Sequence, residues 1–499
     1  MTRVFNSKIV FRTLGALLLI ESVFMAMATA VSWWYDDVDL GSFITSTLIT
    51  FLAGCIGLSI GSNAPKHVGE REGYVIVAFV WIVFSVFGLL PYYLSGMIPN
   101  LTDAWFETMS GFTTTGATIL NDIESLSHGA LFWRSMTQWL GGMGIIVLSI
   151  AILPMFGLGG MQLYAAEVTG LSYEKLSPRI ADTAKHLWIT YILLTGIEVV
   201  LLNIEGMPIF DSVCHSLCTI ATGGFSTKNL SIIEYSAIIQ WTIAIFMMLS
   251  GLNFALLIFS FRGRPEKLFR EEETRWYLSA LAICTAVLSL CLFVHYGLID
   301  GQWHVNTFSE GLSHAERALR KGFFMVTSAM TSTGYAASDY MTWPSLLWVM
   351  VFFMMFTGAS SGSTSGGIKW VRILLFAKAG ITEFKRRIHP NAVVPVKLNG
   401  KPVQHNTIGN LMAFMMLYLV IVIITVLIFC GCGVDFDESI GTAVSAIGNV
   451  GVSIGQFGPS GSYANFPVVA KWWMTVVMLI GRLEIFTVLL LFTPALWKK

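Results

Sequence analysis

Residues 111–117 read Gly111-Phe-Thr-Thr-Thr-Gly-Ala117, and the stretch returns three times in altered form. The echoes are Ala-Thr-Gly-Gly-Phe over 221–225, Thr-Ser-Thr-Gly-Tyr over 331–335 and Gly-Asn-Val-Gly-Val over 448–452. Aligned on Gly116, Gly224, Gly334 and Gly451, they recur at intervals of 108, 110 and 117 residues. Each follows a short apolar or mixed segment and precedes a long apolar one. Irregular backbone is tolerated at membrane depth only where it is buried in protein or lines a wet cavity. Four glycine-centred loops around one axis meet that condition if their carbonyls replace the hydration shell of an ion. Four ordinary glycine hinges between helices are the alternative, and they give no reason for the shared register.

The chain is 55% hydrophobic and 12% charged, where soluble domains carry roughly 25% charged residues. It therefore reads as a polytopic membrane protein with little chain left for a soluble domain. Its net charge of zero names no partner and gives no reason to expect nucleic acid. The seven cysteines form no disulfide framework and read as small buried hydrophobes rather than metal ligands. The first apolar run, Ile9 to Val31, is too long for a signal-peptide core and reads as a true span.

Ten spans are expected, at 9–31, 43–62, 74–97, 130–153, 183–203, 235–259, 277–299, 345–378 (interrupted), 408–430 and 468–496. Segments too short to cross lie at 102–111, 209–220, 318–330 and 437–447. From residue 74 the order is span, half-helix, glycine loop, span, four times over. The expected fold is thus all-α, with two N-terminal spans over 1–73 and pore repeats over 74–182, 183–276, 277–407 and 408–499. A cytoplasmic N-terminus puts 23 basic residues inside and six outside, so both termini are expected in the cytoplasm. The glycine loops then dip in from the outer side. Thr102, Asp103, Asp211, Glu316, Asp435 and Asp437 stand at the expected outer starts of the half-helices, where such residues suit a helix N-terminus. Four C-terminal ends aimed inward favour a cation between them.

Other polar residues have plainer readings. Glu21 and Glu198 read as structural groups within spans, and His215 as packed behind the second loop. Trp33, Trp34, Trp472 and Trp473 read as interfacial anchors. The basic run Lys385-Arg-Arg387 is a cytoplasmic cluster open to lipid headgroups or a partner.

Taken together, the motifs resemble the Trk/Ktr/HKT superfamily of potassium transporters, in its TrkH-type branch. The likeness rests on GFTTTGAT (111–118), IATGGFST (220–227), TSTGY (331–335), GNVG (448–451), the run ending GSTSGGIK (362–369) and GRLEIFT (481–487). It covers nearly the whole chain. It implies a single-chain pseudo-fourfold pore, assembled as a homodimer, with potassium as the substrate and no organic cofactor. The potassium-binding filter would be Thr113, Thr114, Thr115 and Gly116; Ala221, Thr222, Gly223 and Gly224; Thr331, Ser332, Thr333 and Gly334; and Gly448, Asn449, Val450 and Gly451. All four filter glycines are present, and the resemblance implies that glycine rather than serine at the first of them, Gly116, argues for potassium over sodium. The fourth loop departs most from threonine. The resemblance also implies a cytosolic nucleotide-binding regulatory subunit of TrkA type. The chain itself has no P-loop and no dinucleotide fingerprint, so a nucleotide would bind the partner.

Thr357 to Gly367, eleven small or polar residues, interrupts an apolar span near mid-membrane and must face the protein interior. No histidine base lies near the serines of this run, so an enzyme is not expected. The reading is a gate under the filter, built from Gly358, Ser360, Ser361, Gly362, Ser363, Thr364, Ser365, Gly366, Gly367 and Lys369, with Arg482. A broken helix of this type also suits the substrate site of a secondary transporter. An arginine at the centre of a span costs roughly 2.5–3.5 kcal/mol on insertion scales, so Arg482 should face the pore or the broken helix. The alternative for Arg482 is an ion pair joining two helices. The function expected is a channel-like potassium uptake permease of the bacterial inner membrane; a sodium- or proton-coupled potassium symporter on the same scaffold is the second possibility.

Overall fold

The computed structural model describes residues 5–64, 69–144, 180–296, 308–392 and 394–497. Two long helices open the chain, α1 (Ser7–Trp34) and α2 (Leu40–Ile60), and pack as an antiparallel pair. Small residues let their backbones approach: a Cβ on Gly15 would lie 2.8 Å from the carbonyl oxygen of Gly54.

The first repeat is α3 (Glu70–Gly88) with its continuation α4 (Leu90–Leu94), the half-helix α5 (Leu101–Phe112) and α6 (His128–Gly142). The second is α7 (Ile180–Ile204), half-helix α8 (Ile209–Ile220), α9 (Ala237–Ser250) and α10 (Phe254–Phe261), with the short α11 (Glu266–Arg270) after it. The third is α12 (Glu272–Val294), α13 (Phe308–Met330), α14 (Ser345–Phe356) and α15 (Trp370–Ile388). The fourth is α16 (His405–Gly431), half-helix α17 (Phe436–Gly448), α18 (Val468–Arg482), α19 (Phe486–Leu491) and α20 (Pro494–Trp497). Lys397–Leu398 and Lys401–Pro402 pair as a small antiparallel hairpin, β structure that the all-α expectation did not include.

The repeats close into a ring. The helix after each loop packs on the half-helix of the next repeat: α6 on α8, α9 on α13, α14 on α17 and α18 back on α5. By length and composition, six helices among the described residues can cross a membrane unaided, or seven with α9 and α10 counted as one span. The chain is a multi-pass membrane protein.

Two expected spans are corrected. The stretch 235–259 is not one helix, because α9 and α10 meet at 108°. Asn253 takes the cap of α10, its Oδ1 accepting from the Ala255 N–H at 2.9 Å. The stretch 468–496 breaks between Arg482 and Phe486, where Glu484 and Ile485 have φ of 56° and 55°. A positive φ at a β-branched residue is an outlier, so packing must impose this turn. The third half-helix begins ten residues earlier than expected, at Phe308, which leaves Glu316 within α13 rather than at its start. The ends of the expected spans 130–153 and 277–299 lie outside the described residues, as do Arg3, Lys66, Lys175, Arg179, Lys498 and Lys499 of the charge count.

Candidate ion pathway

Each half-helix ends in the same way. The residue two before the aligned glycine turns left-handed, with φ of 53° at Thr114, 55° at Thr222, 54° at Ser332 and 52° at Asn449. The residue after it donates its N–H back to the helix at 2.9 Å: Thr115 to Ser110, Gly223 to Cys218, Thr333 to Ser328 and Val450 to Ser445. This is a Schellman-type cap, normally built on glycine. The aligned glycine follows in the left-handed region again, with φ of 80°, 78°, 81° and 90° at Gly116, Gly224, Gly334 and Gly451. Alternating left-handed residues keep the loop from becoming helix or strand.

The four loops form a closed circuit. A Cβ on Gly116 would lie 2.1 Å from the carbonyl oxygen of Gly223, and one on Gly224 1.9 Å from that of Thr333. One on Gly334 would lie 2.0 Å from the oxygen of Val450, and one on Gly451 2.2 Å from that of Thr115. Every loop thus presses its glycine against the next loop's carbonyl, and the fourth returns to the first. The four glycines together line one cavity of about 180 Å³ with polar walls that include Thr118, Asn121, Ser226 and Ser462.

Side chains hold the ring from behind. The Thr113 and Thr115 hydroxyls pair at 2.8 Å, and those of Thr331 and Thr333 at 2.7 Å. Asn449 breaks this pattern: its Nδ2 donates to the Thr115 hydroxyl at 3.0 Å and to the Met478 carbonyl at 2.9 Å. It ties the fourth loop to the first. His215 is buried, with Nδ1 2.8 Å from the Asp211 carbonyl and Nε2 3.0 Å from the Ser226 hydroxyl, as its packed reading requires.

Arg134 and Lys471, both counted as outer charges on sequence, are buried in ion pairs. Arg134 Nε donates to Glu107 at 2.7 Å, and its Nη1 donates to the Ser226 carbonyl at 2.9 Å. Glu107 also accepts from the Thr118 hydroxyl at 3.0 Å and from the Ile119 N–H at 2.9 Å. This pair, which sequence reasoning missed, welds the first half-helix to both the first and second loops. Lys471 pairs with Asp103 at 2.6 Å, joining the fourth repeat to the first. In the exposed loop after the first glycine turn, Asn229 donates to Asp122 at 3.1 Å, which holds that carboxyl below its usual range.

The segment 357–367 lies against the C-terminal ends of the half-helices. The Gly366 N–H donates to the Ser332 hydroxyl at 2.6 Å, and the Thr364 hydroxyl to the Ile220 carbonyl at 3.0 Å. A Cβ on Gly366 would lie 2.3 Å from the Gly448 oxygen. The segment thus touches the second, third and fourth loops or the helices that lead into them. Ser360 N donates to Gly251 at 3.0 Å and Asn253 Nδ2 to the Ser361 carbonyl at 2.8 Å, which seats it in the bend of α9 and α10. Glu273 accepts from the Ser361 N–H at 2.6 Å and the Val371 N–H at 3.1 Å. Lys369 turns back and donates to the Ser365 carbonyl.

Arg482 supplies the link to the first repeat. Its Nη1 donates to the Thr364 carbonyl at 2.8 Å, and its Nη2 to the carbonyls of Gly141 and Gly142 at the end of α6. The nearby Glu484 pairs with Arg372 of α15.

A family model for TrkH, described as a cation transport protein, matches residues 42–499. The Trk system potassium uptake protein TrkH of Salmonella typhimurium is 39% identical over 98% of this chain and 99% of its own length. The chain belongs to the TrkH family. The Trk system potassium uptake protein TrkG of Escherichia coli is 34% identical, covering 99% of each chain. The crystal structure of the potassium transporter TrkH from Vibrio parahaemolyticus superposes with a TM-score of 0.85 at 31% identity, over 99% of this chain and all of that one. TrkH-family proteins are transport proteins rather than enzymes, and the all-α polytopic fold is the family's.

Most residues named from sequence come together in this TrkH-type ring. The cysteines are only partly as expected: all are free, but Cys214 and Cys218 alone are fully buried. Glu21 and Glu198 are fully buried in their spans. What sequence missed was the supporting set of Glu107, Arg134, Gln138 and Asn253. A polar residue in each apolar or half-helical stretch was the available signal.

Proposed function

We propose that the protein is a potassium-selective, channel-like uptake permease of the bacterial inner membrane. The observation that carries this reading is the closed circuit of four glycines against four carbonyls. A ring of backbone oxygens held at fixed spacing can stand in for the water shell of a cation. Residues 113–116, 221–224, 331–334 and 448–451 supply that ring, with potassium as the transported ion. The potassium uptake named for its relatives supports the choice of ion.

Residues 358–367, Lys369 and Arg482 act as the gate. The contacts of Gly366 and Thr364 support a place directly beneath the filter. Arg482 adds a positive charge there and one bond to the segment, at the Thr364 carbonyl, while two more anchor it to the end of α6 and so hold the segment in place. Both termini lie in the cytoplasm, the protein works as a homodimer, and the basic inner loops dock a cytosolic TrkA-type nucleotide-binding subunit. The name "Trk system" carried by the relatives supports a multi-component assembly.

Reversal potentials of the purified protein in lipid, under potassium, rubidium and sodium gradients, test the reading. A reversal set by the potassium gradient alone is expected. A reversal that moves with an imposed sodium or proton gradient would establish coupled symport instead.

A further inference from the structure

The residue before the filter glycine is not braced alike in all four loops. Thr115 and Thr333 have hydroxyls tied to Thr113 and Thr331. Val450 fills its place with apolar bulk. The second loop has Gly223 there, with no side chain and the most backbone freedom of any residue. Its brace comes from another repeat. Gln138 of α6, fully buried, donates from Nε2 to the Gly223 carbonyl at 2.7 Å and accepts the Phe225 N–H on Oε1 at 3.0 Å. The two bonds straddle Gly224. A Cβ built on Gly223 would fall 2.4 Å from Gln138 Cδ and Oε1. The amide therefore occupies the space that a threonine side chain takes in the first and third loops.

The consequence is an uneven ring. Among the described residues, no hydrogen bond reaches the carbonyls of Thr115, Thr333 or Val450, whereas Gly223 accepts one. A carbonyl has two lone pairs, so Gly223 can accept from Gln138 and still present an oxygen inward.

We propose that Gln138 is a specificity-determining positioning residue, standing in for the side chain absent from Gly223 and fixing that carbonyl in the filter. This rests on the reading of the four loops as a filter. Without the amide, the second loop gains freedom, its oxygen no longer keeps one distance from the axis, and a smaller ion is less well excluded.

The test compares the potassium-to-sodium permeability ratio of purified, reconstituted protein. Gln138→Met keeps length and volume but removes both hydrogen bonds, so folding is expected to survive. Its ratio should fall by about three- to tenfold, the scale of one lost hydrogen bond. The pair Gln138→Ala with Gly223→Thr clears the amide and returns a hydroxyl to the loop, and should move the ratio back toward wild type. Gly116→Ser is run beside them. If Gly116→Ser shifts the ratio and Gln138→Met does not, the role of Gln138 is overturned while the filter reading stands. If Gly116→Ser leaves the ratio unchanged, the filter reading itself falls. A double variant no better than Gln138→Met overturns the claim that the amide replaces a side chain.

Discussion

At Gly116 a methyl group would sit 2.1 Å from the carbonyl oxygen of Gly223, on a backbone with φ of 80°. Any side chain there must push the second loop outward and hold an unfavourable dihedral. Gly116→Ser is therefore expected to weaken discrimination of potassium from sodium while the protein still folds, as read by relative permeability in lipid. The buried Glu107–Arg134 pair makes a different prediction. Removing one partner leaves the other charge buried without compensation, which costs about 3–5 kcal/mol in known cases. Glu107→Leu should lower stability by that order in denaturant titration, and should loosen the first loop, since Glu107 also takes the Thr118 hydroxyl and Ile119 N–H. A variant as stable as wild type would show that the pair only orients these groups. Glu107 was not legible as a site residue because a single acid in a half-helix looks the same whether it faces water or an arginine.

At the scale of elements, the half-helices and their loops were readable because three signals coincide: short length, a capping or acidic start, and glycine just past the end. The first, second and fourth run Leu101–Phe112, Ile209–Ile220 and Phe436–Gly448, within a residue or two of expectation. The breaks were readable only at 357–367, where composition itself changes. The bends after Ser250 and Arg482 fall at brief polar interruptions, Gly251-Leu-Asn253 and Arg482-Leu-Glu484, too short to tell a bend from a through-going span; what packs against the glycine loops decides them. If 358–367 obstructs the pore, deleting part of it should raise basal ion flux without altering selectivity. Arg482→Ala should act in the same direction, because it removes a charge and the donor to Thr364. Since both act on one closed state, the combined effect should be less than additive on a free-energy scale. Flux from the single variants and the combination decides it: multiplicative rates would mean two separate barriers, and loss of flux in the deletion would favour a substrate site.

At the scale of the whole molecule, the inner basic loops 262–275 and 369–401 form the surface proposed for a cytosolic regulator. Lys385, Arg386 and Arg387 are exposed, Arg386 at 44% beside Glu383, so this cluster is open to a partner. Reversing Arg386 and Arg387 to glutamate should weaken co-purification of a nucleotide-binding subunit, and retention of both binding and nucleotide response would place the docking site elsewhere. The sequence by itself determined the membrane character, the four repeats, the first, second and fourth half-helices, the four glycine loops and the broken segment 357–367, because each of these is written in local composition and spacing. Tertiary structure alone decided the rest: that Gly451 closes on Thr115, that Gln138 serves a loop in the next repeat, and that Arg482 reaches the carbonyls of Gly141 and Gly142. These contacts join residues from different repeats, and no local pattern encodes them. They exist because closing four repeats into a ring buries polar groups that must then find partners.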